Sequence, residues 1–171
     1  MHTVNVGRDY VAGIRRAYCG ELSASRVYRL LAEQDKFAEQ RPKLSAIADV
    51  ESQTARVLEP IAMRLGISCG TAEIEGIVRR RVTELGALSW TQFIEQALVN
   101  WPPYIAEFEA LAESSPDEDR SAMRLLVAHE RALVEFLHLE RLQPQAPASI
   151  EPLRNYLKEA AEEAKRPSSE A

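Results

Sequence analysis

Residues 44–65 read LSAIADVESQTARVLEPIAMRL, and their apolar spacing predicts a long amphipathic helix. Apolar side chains recur every three or four residues, at Leu44, Ile47, Leu58, Ile61 and Leu65. The two missing steps of this series are held by Glu51 and Thr54. A carboxylate is therefore expected in the middle of the helix face that packs against the core.

The same departure from an apolar face occurs in two further segments. Glu21 interrupts a face formed by Tyr10, Ile14, Ala17, Ala24, Tyr28 and Leu31. Glu130 interrupts a face formed by Met123, Leu126, Leu133 and Leu137. A buried carboxylate is costly unless it is paired, hydrogen-bonded or bound to a metal, so three of them on three helices need a shared explanation.

The composition is that of a globular helical protein. Of the 171 residues, 46% are hydrophobic and 27% charged, and only seven are glycine, which favours helix over strand. This length fits one domain, expected over residues 1–165, with residues 166–171 as a disordered tail.

Charge and hydropathy argue against two kinds of partner. The formal net charge of -5 gives no support for nucleic-acid binding, and no apolar run approaches the roughly 20 residues of a membrane span. The first ten residues lack the basic and apolar segments of a secretory signal. Cys19 and Cys69 form neither a CxxC motif nor a disulfide framework, so we expect a cytoplasmic protein with an inert Cys19.

Cap and proline signals divide the chain into helices. Residues 89–92 form a capping box, and the two prolines after Trp101 must bend or break the helix that this box opens. Residues 115–118 are a second helix start, with Ser115 as the cap and a proline at the first position, and Gly66 is an expected helix stop. The expected helices span residues 9–34, 42–65, 71–85, 90–111, 116–141 and 150–165. They give two long hairpins joined by a crossover that carries a helix of its own, which is the layout of a four-helix bundle.

The two hairpins also resemble each other in sequence. YRLLAEQ at residues 28–34 matches FEALAES at residues 108–114 with an offset of 80, and Glu51 aligns with Glu130 with an offset of 79. In this register Glu21 aligns with Trp101. The coincidence of two carboxylates within apolar faces raises the similarity above a chance match of helical patterns.

ELSASRVYRLLAEQ (21–34) and KLSAIADVESQT (43–54) resemble the first two metal-ligand helices of the ferritin-like superfamily, and most closely those of its rubrerythrin-type members. The resemblance covers residues 17–139. It implies an all-α four-helix bundle with one long crossover carrying a short helix, followed here by a C-terminal helix. It also implies non-haem iron and oxidoreductase chemistry. Bundles of this type often dimerise, although no exposed apolar face in the sequence argues for a homodimer.

The ligand set implied by the resemblance is incomplete. Each half of the family's site supplies a Glu from its first helix and a Glu-x-x-His from its second. Three carboxylate positions are kept here, by Glu21, Glu51 and Glu130. Thr54 and Leu133 stand where the family has His. The fourth carboxylate position falls on Trp101, or on Asn100 if the register shifts by one residue.

Two histidines are available as substitutes. His129 lies beside Glu130 at the edge of its apolar face, from which it could swing in as a displaced ligand. Glu135 and His138 also spell Glu-x-x-His. Glu135 lies off the apolar face, however, so we interpret that match as accidental unless the helix is rotated.

Two functions of different class follow. The first is a non-haem metal oxidoreductase with a reduced site, in which the metal ligands are Glu21, Glu51, Glu130 and His129. The second is a metal-free descendant that binds a small molecule or a partner protein. In that case arginines such as Arg26, Arg56 and Arg131 would pair with the acids, or the acids would form a polar network. The expected pocket lies between Glu21, Glu51, Trp101 and Glu130, with Thr54 and Tyr28 beside it.

Overall fold

The computed structural model describes residues 7–144 and 146–165, and this part of the chain is helical throughout, without a strand. Its seven α-helices are α1 (Arg8–Ala32), α2 (Arg41–Arg64), α3 (Thr71–Gly86), α4 (Trp90–Asn100), α5 (Pro102–Glu113), α6 (Arg120–Leu142) and α7 (Glu151–Glu163). Short 3-10 turns lie at Asp35–Phe37, Asp117–Asp119 and Pro147–Ile150. The expected all-α class is confirmed. The expectations for the signal region at residues 1–6 and for the tail at residues 166–171 fall outside the described residues.

Local signals in the sequence set several of these boundaries. The Ser89 side chain accepts a hydrogen bond from the Gln92 backbone at 3.3 Å, and the Gln92 side chain accepts one from the Ser89 backbone at 2.9 Å. Gly66 ends α2 with a φ of 67°, a conformation that glycine adopts without a steric penalty. Pro102 begins α5 directly after Trp101, where α4 has ended. These three predictions are confirmed.

α6 begins later than expected. Its predicted start was residue 116, but the chain first makes the 3-10 turn Asp117–Asp119, and the α-helix begins at Arg120. The N-cap position of α6 is therefore Asp119, and the Ser115 hydroxyl instead donates to the Ala112 carbonyl at 2.7 Å. Ser115 therefore closes the end of α5.

The helices pack as two hairpins with added helices around them. α1 packs along α2, and α5 packs along α6. α3 lies against α1, α4 lies against α6, and α7 contacts both α2 and α6. One apolar core includes Ile47, Leu133 and Leu153, which come from α2, α6 and α7. A second includes Ile14 of α1 and Phe108 of α5.

A buried ion pair fastens three of these helices together. Lys43 in α2 donates to both carboxylate oxygens of Glu140 in α6, at 2.6 and 2.7 Å. The indole nitrogen of Trp90, at the start of α4, donates to the same carboxylate at 2.8 Å. Because the Lys43 ammonium and the Glu140 carboxylate are both buried and paired with each other, neither is available to bind a ligand.

The two cysteines form a disulfide. Cys19 in α1 is bonded to Cys69, which lies just before α3, and their Cα atoms are 5.7 Å apart. The prediction that Cys19 is inert is therefore wrong. Disulfides persist mainly in oxidising compartments, so the bond gives no support to the expected cytoplasmic location, which stays a prediction. None of the helices in the described ranges combines the length and apolarity that crossing a bilayer requires.

Candidate metal centre

Three helices each bring a carboxylate to one buried place. Glu21 comes from the middle of α1, Glu51 from the middle of α2, and Glu130 from α6 together with its neighbour His129. The exposed fractions of these four residues are 5%, 6%, 8% and 0%, in the order Glu21, Glu51, Glu130 and His129. Each acid interrupts the apolar face of its helix, so packing those faces together places all three in the interior.

The imidazole of His129 lies at the centre of the acids. Its Nε2 atom is 3.3 Å from Glu21 Oε1, 3.7 Å from Glu51 Oε2 and 3.7 Å from Glu130 Oε1. Its Nδ1 atom contacts the carbonyl of Leu126, one turn earlier in α6. A carbonyl only accepts, so Nδ1 carries a hydrogen, and in the neutral ring Nε2 then presents its lone pair to the carboxylates.

Several polar atoms in this cluster have no partner. Glu21 Oε2, His129 Nε2 and Glu130 Oε2 are the buried side-chain atoms without a hydrogen bond within residues 7–144 and 146–165. Native proteins leave few buried polar atoms unsatisfied, and each exception calls for an explanation. All three belong to residues of this one cluster, which indicates a position prepared for a proton, a cation or a polar ligand.

Burial makes these carboxylates reluctant to ionise. It raises the pKa of Glu21 to about 8, with a further increase from the charge of Glu130 and an opposing effect from a hydrogen bond with Glu51. Burial and the neighbouring charge of Glu21 raise the pKa of Glu51 well above its usual range. Burial also raises the pKa of Glu130 to about 7, although nearby His129 opposes the rise. Without a cation the cluster therefore holds protons near neutral pH.

The donor set fits one metal ion better than two. Ligand atoms of Glu21, Glu51 and His129 all lie within 4.8 Å of one another, and Glu130 Oε1 is close to the same imidazole. Carboxylate oxygens with one imidazole nitrogen suit a divalent ion such as iron or manganese. The Nδ1 contact with Leu126 is the outer-shell arrangement that commonly orients a metal-ligating histidine.

The positions at which the resemblance predicts further ligands are occupied by residues with other contacts. Thr54 stands where a histidine was expected, and its hydroxyl shares a 2.6 Å hydrogen bond with the Tyr156 hydroxyl and donates to the Val50 carbonyl at 2.9 Å. Leu133 and Trp101, in the other two positions, are buried apolar side chains. These three residues supply no imidazole or carboxylate for the second half of a dinuclear site.

The alternative histidine motif and the nearby arginines are not part of the cluster. Glu135 and His138 are both exposed on α6. Arg26 and Arg56 are also exposed, and Arg131 pairs with Glu109. Among the described residues no arginine lies within salt-bridge distance of the three buried acids, so arginine pairing does not account for their burial.

A cavity of about 280 Å³ opens onto the acids. Its lining includes the carboxylates Glu21, Glu51 and Glu130 and the aromatic residues Tyr28, Trp101 and Phe108. The rings of Tyr28 and Trp101 meet edge to face, with 6.1 Å between their centres. His129 and Thr54 do not line this cavity, so the imidazole contacts the acids from a direction other than that of the cavity.

Sequence reasoning missed two residues at this site. Tyr156 of α7 reaches Thr54, and its ring centre lies 6.1 Å from that of His129. Arg81 of α3 lines the cavity. The sequence could have indicated Tyr156, because this residue lies on the apolar face of α7. We expected that helix only to dock on the outside of the bundle. Arg81 lies among three consecutive arginines, a pattern typical of a solvated helix face.

Comparison with protein-family models, curated proteins and solved structures gives no match for this chain. The interpretation of the site therefore depends on its own geometry.

Proposed function

We propose that this protein is a ferritin-like metal-carboxylate protein that binds one divalent ion, iron by preference, in place of a complete di-iron site. Its ligands are Glu21, Glu51, Glu130 and His129. The observation that carries the proposal is that one carboxylate oxygen from each of the three acids lies 3.3–3.7 Å from His129 Nε2. Glu21 Oε2, Glu130 Oε2 and Nε2 itself have no hydrogen bond in this cluster, and a bound cation would accept the Nε2 lone pair and offset the carboxylate charges.

The helix arrangement supports the ferritin-like part of the proposal. Two hairpins, α1–α2 and α5–α6, supply the ligands, and α3 lies in the long connection between them. α4 and α5 together take the place of the third long helix, broken at Trp101 where the fourth carboxylate is missing. Loss of that carboxylate and of both family histidines accounts for a site with room for one ion.

The chemistry of such a site follows from its ligands and its cavity. Iron bound there would supply one-electron and oxygen chemistry, which is the basis of the proposed oxidoreductase activity. The chain's own contribution is to orient the imidazole through Leu126 and to shield the site with aromatic side chains. The protons held by Glu21 and Glu130 in the metal-free protein are released when a cation binds.

Metal analysis tests the proposal directly. The protein is produced in iron-supplemented medium, and iron, manganese and zinc are measured by plasma emission for the parent, Glu51→Ala and Glu135→Ala. Glu135→Ala is the matched control, because it removes an exposed glutamate from α6. We expect about one metal ion per chain in the parent and control and none in Glu51→Ala. An equal metal content in all three proteins, or none in any, would refute the proposal.

A second candidate is a metal-free bundle that binds a small molecule or a partner protein. It is favoured by the cavity beside Trp101 and by the Thr54–Tyr156 hydrogen bond, which replaces a metal ligand with a structural contact. If the acids are only remnants, Glu51→Leu removes a buried group that is costly to keep and should raise the melting temperature. A parent without metal and a stabilised Glu51→Leu together support this candidate.

A further inference from the structure

Two cavities meet beside the buried acids. The first, of about 280 Å³, ends at the acids, and the second, of about 320 Å³, lies between α3 and α4. Both are lined by Tyr28, Arg81, Trp101 and Tyr104. Arg81 therefore lies at the junction through which a small molecule would pass from the second cavity to the first.

Arg81 is available to bind an anion. It is only partly exposed, and within the described residues it has neither a hydrogen bond nor a salt bridge. The other arginine of the first cavity, Arg16, is already paired with Glu107 at 3.1 Å. A half-buried guanidinium that makes no hydrogen bond or salt bridge can form two parallel hydrogen bonds with a carboxylate ligand.

The cavity walls suit a flat apolar ligand. Trp101 and Tyr28 are nearly perpendicular, with an interplanar angle of 72°, and Phe108 lines the same cavity. Aromatic side chains on a cavity wall can pack against the ring of a ligand, either stacked or edge to face. A cavity of about 280 Å³ is at the lower end of the range for ligand sites, which limits the ligand to about one ring with a short substituent.

We propose that this cavity binds a small aromatic carboxylic acid, with its carboxylate on Arg81 and its ring against Trp101 and Tyr28. This orientation directs the far edge of the ring toward Glu21, Glu51 and Glu130. The proposal rests on the proposed function in one respect, since a cation among the three acids reduces their repulsion of an anionic ligand. It names the substrate class for that same site.

Benzoate and its neutral counterpart benzamide are suitable probes. Their binding is measured by titration calorimetry on the purified protein, with the metal content determined on the same samples. The variants are Arg81→Met, Arg81→Lys and Arg80→Met. Arg80→Met is the matched control, because it makes the same change at the exposed neighbouring position.

The expected result is benzoate binding by the parent and by Arg80→Met with equal affinity, and binding by Arg81→Met that is weaker by about tenfold or more. Arg81→Lys keeps the charge and should recover part of the affinity. Benzamide should bind weakly and equally to the parent and to Arg81→Met. Unperturbed melting curves establish that each variant is folded.

The proposal is overturned if benzoate fails to bind, if benzamide binds as well as benzoate, or if Arg81→Met binds benzoate like the parent. The metal content separates this failure from failure of the proposed function. If the protein holds metal but does not bind benzoate, the proposed metal function stands and the ligand proposal fails. If benzoate binding depends on Arg81 in a protein without metal, the ligand proposal stands and the metal function fails.

Discussion

Replacing Glu21 with glutamine should remove a large part of the pH dependence of stability in the metal-stripped protein. The folded state raises the pKa of Glu21 from 4.5 to about 8. The folded protein therefore keeps a proton that the unfolded chain has already lost above pH 4.5. This contribution to stability is complete below pH 4.5 and declines as the pH rises toward 8.

The size of the effect follows from these two values. Between pH 5 and pH 7, Glu21 alone should lower the free energy of unfolding by about 2 to 3 kcal/mol. For a chain of this length that is about 5–10 °C in melting temperature. Glutamine has no proton to lose, so the variant lacks this contribution and should be less sensitive to pH.

Urea denaturation of metal-stripped protein at pH 5 and pH 7 measures the difference. The parent should lose stability over this interval, while Glu21→Gln should lose at least about 2 kcal/mol less. Glu135→Gln, on the exposed side of α6, is the control and should behave like the parent to within about 0.5 kcal/mol. If the parent and Glu21→Gln lose the same amount, then Glu21 does not retain its proton in the folded state. Saturating metal should reverse the trend, because metal binding requires ionised carboxylates.

Three further substitutions test other parts of the structure by the same denaturation measurement. Tyr156→Phe removes the hydrogen bond to Thr54 and should cost about 1 kcal/mol; an unchanged stability would mean that α7 does not hold this contact. The double variant Cys19→Ser, Cys69→Ser opens a loop with a sequence separation of 50, which should lower the free energy of unfolding by about 4 kcal/mol in the chain-entropy account. If a reductant leaves the stability of the parent unchanged, the disulfide is not formed. Gly20→Ala adds a methyl group where no atom lies within 4 Å and should stabilise α1 by about 0.5–1 kcal/mol; a loss of stability would show that the space is occupied.

Local sequence signals were sufficient for most of the helices. The capping box at Ser89, the break after Trp101 and the stop at Gly66 each depend on a few adjacent residues, and each lies where the sequence placed it. Ser115 failed as a cap because the chain first makes the 3-10 turn Asp117–Asp119, which moves the N-cap position of α6 to Asp119. That shift depends on the geometry of the turn, which the residue types alone do not determine.

The candidate site was accessible from the sequence because charge in an apolar face is a strong signal. Glu21, Glu51 and Glu130 each stand out against a regular pattern, and the structure buries all three. His129 was less evident, because it lies at the edge of the face and only the rotation of α6 brings Nε2 among the acids. The contact from Tyr156 depends on where α7 docks, and a single sequence contains no measure of that.

The disulfide was missed for a similar reason. Cys19 and Cys69 are 50 residues apart, and their approach depends on α3 packing against α1. In a chain with only two cysteines and no CxxC motif, an unpaired state was the natural expectation. Only tertiary packing brings the two sulfur atoms together.

The bond between Cys19 and Cys69 makes a closed covalent ring from residues 19–69. Glu21 and Glu51 both belong to this ring, whereas His129 and Glu130 lie outside it. A protease that cuts the backbone within the ring would leave two pieces that separate only after reduction. Even in a denatured chain the two ring carboxylates stay at a high local concentration relative to each other, so half of the proposed ligand set is tethered before the helices pack.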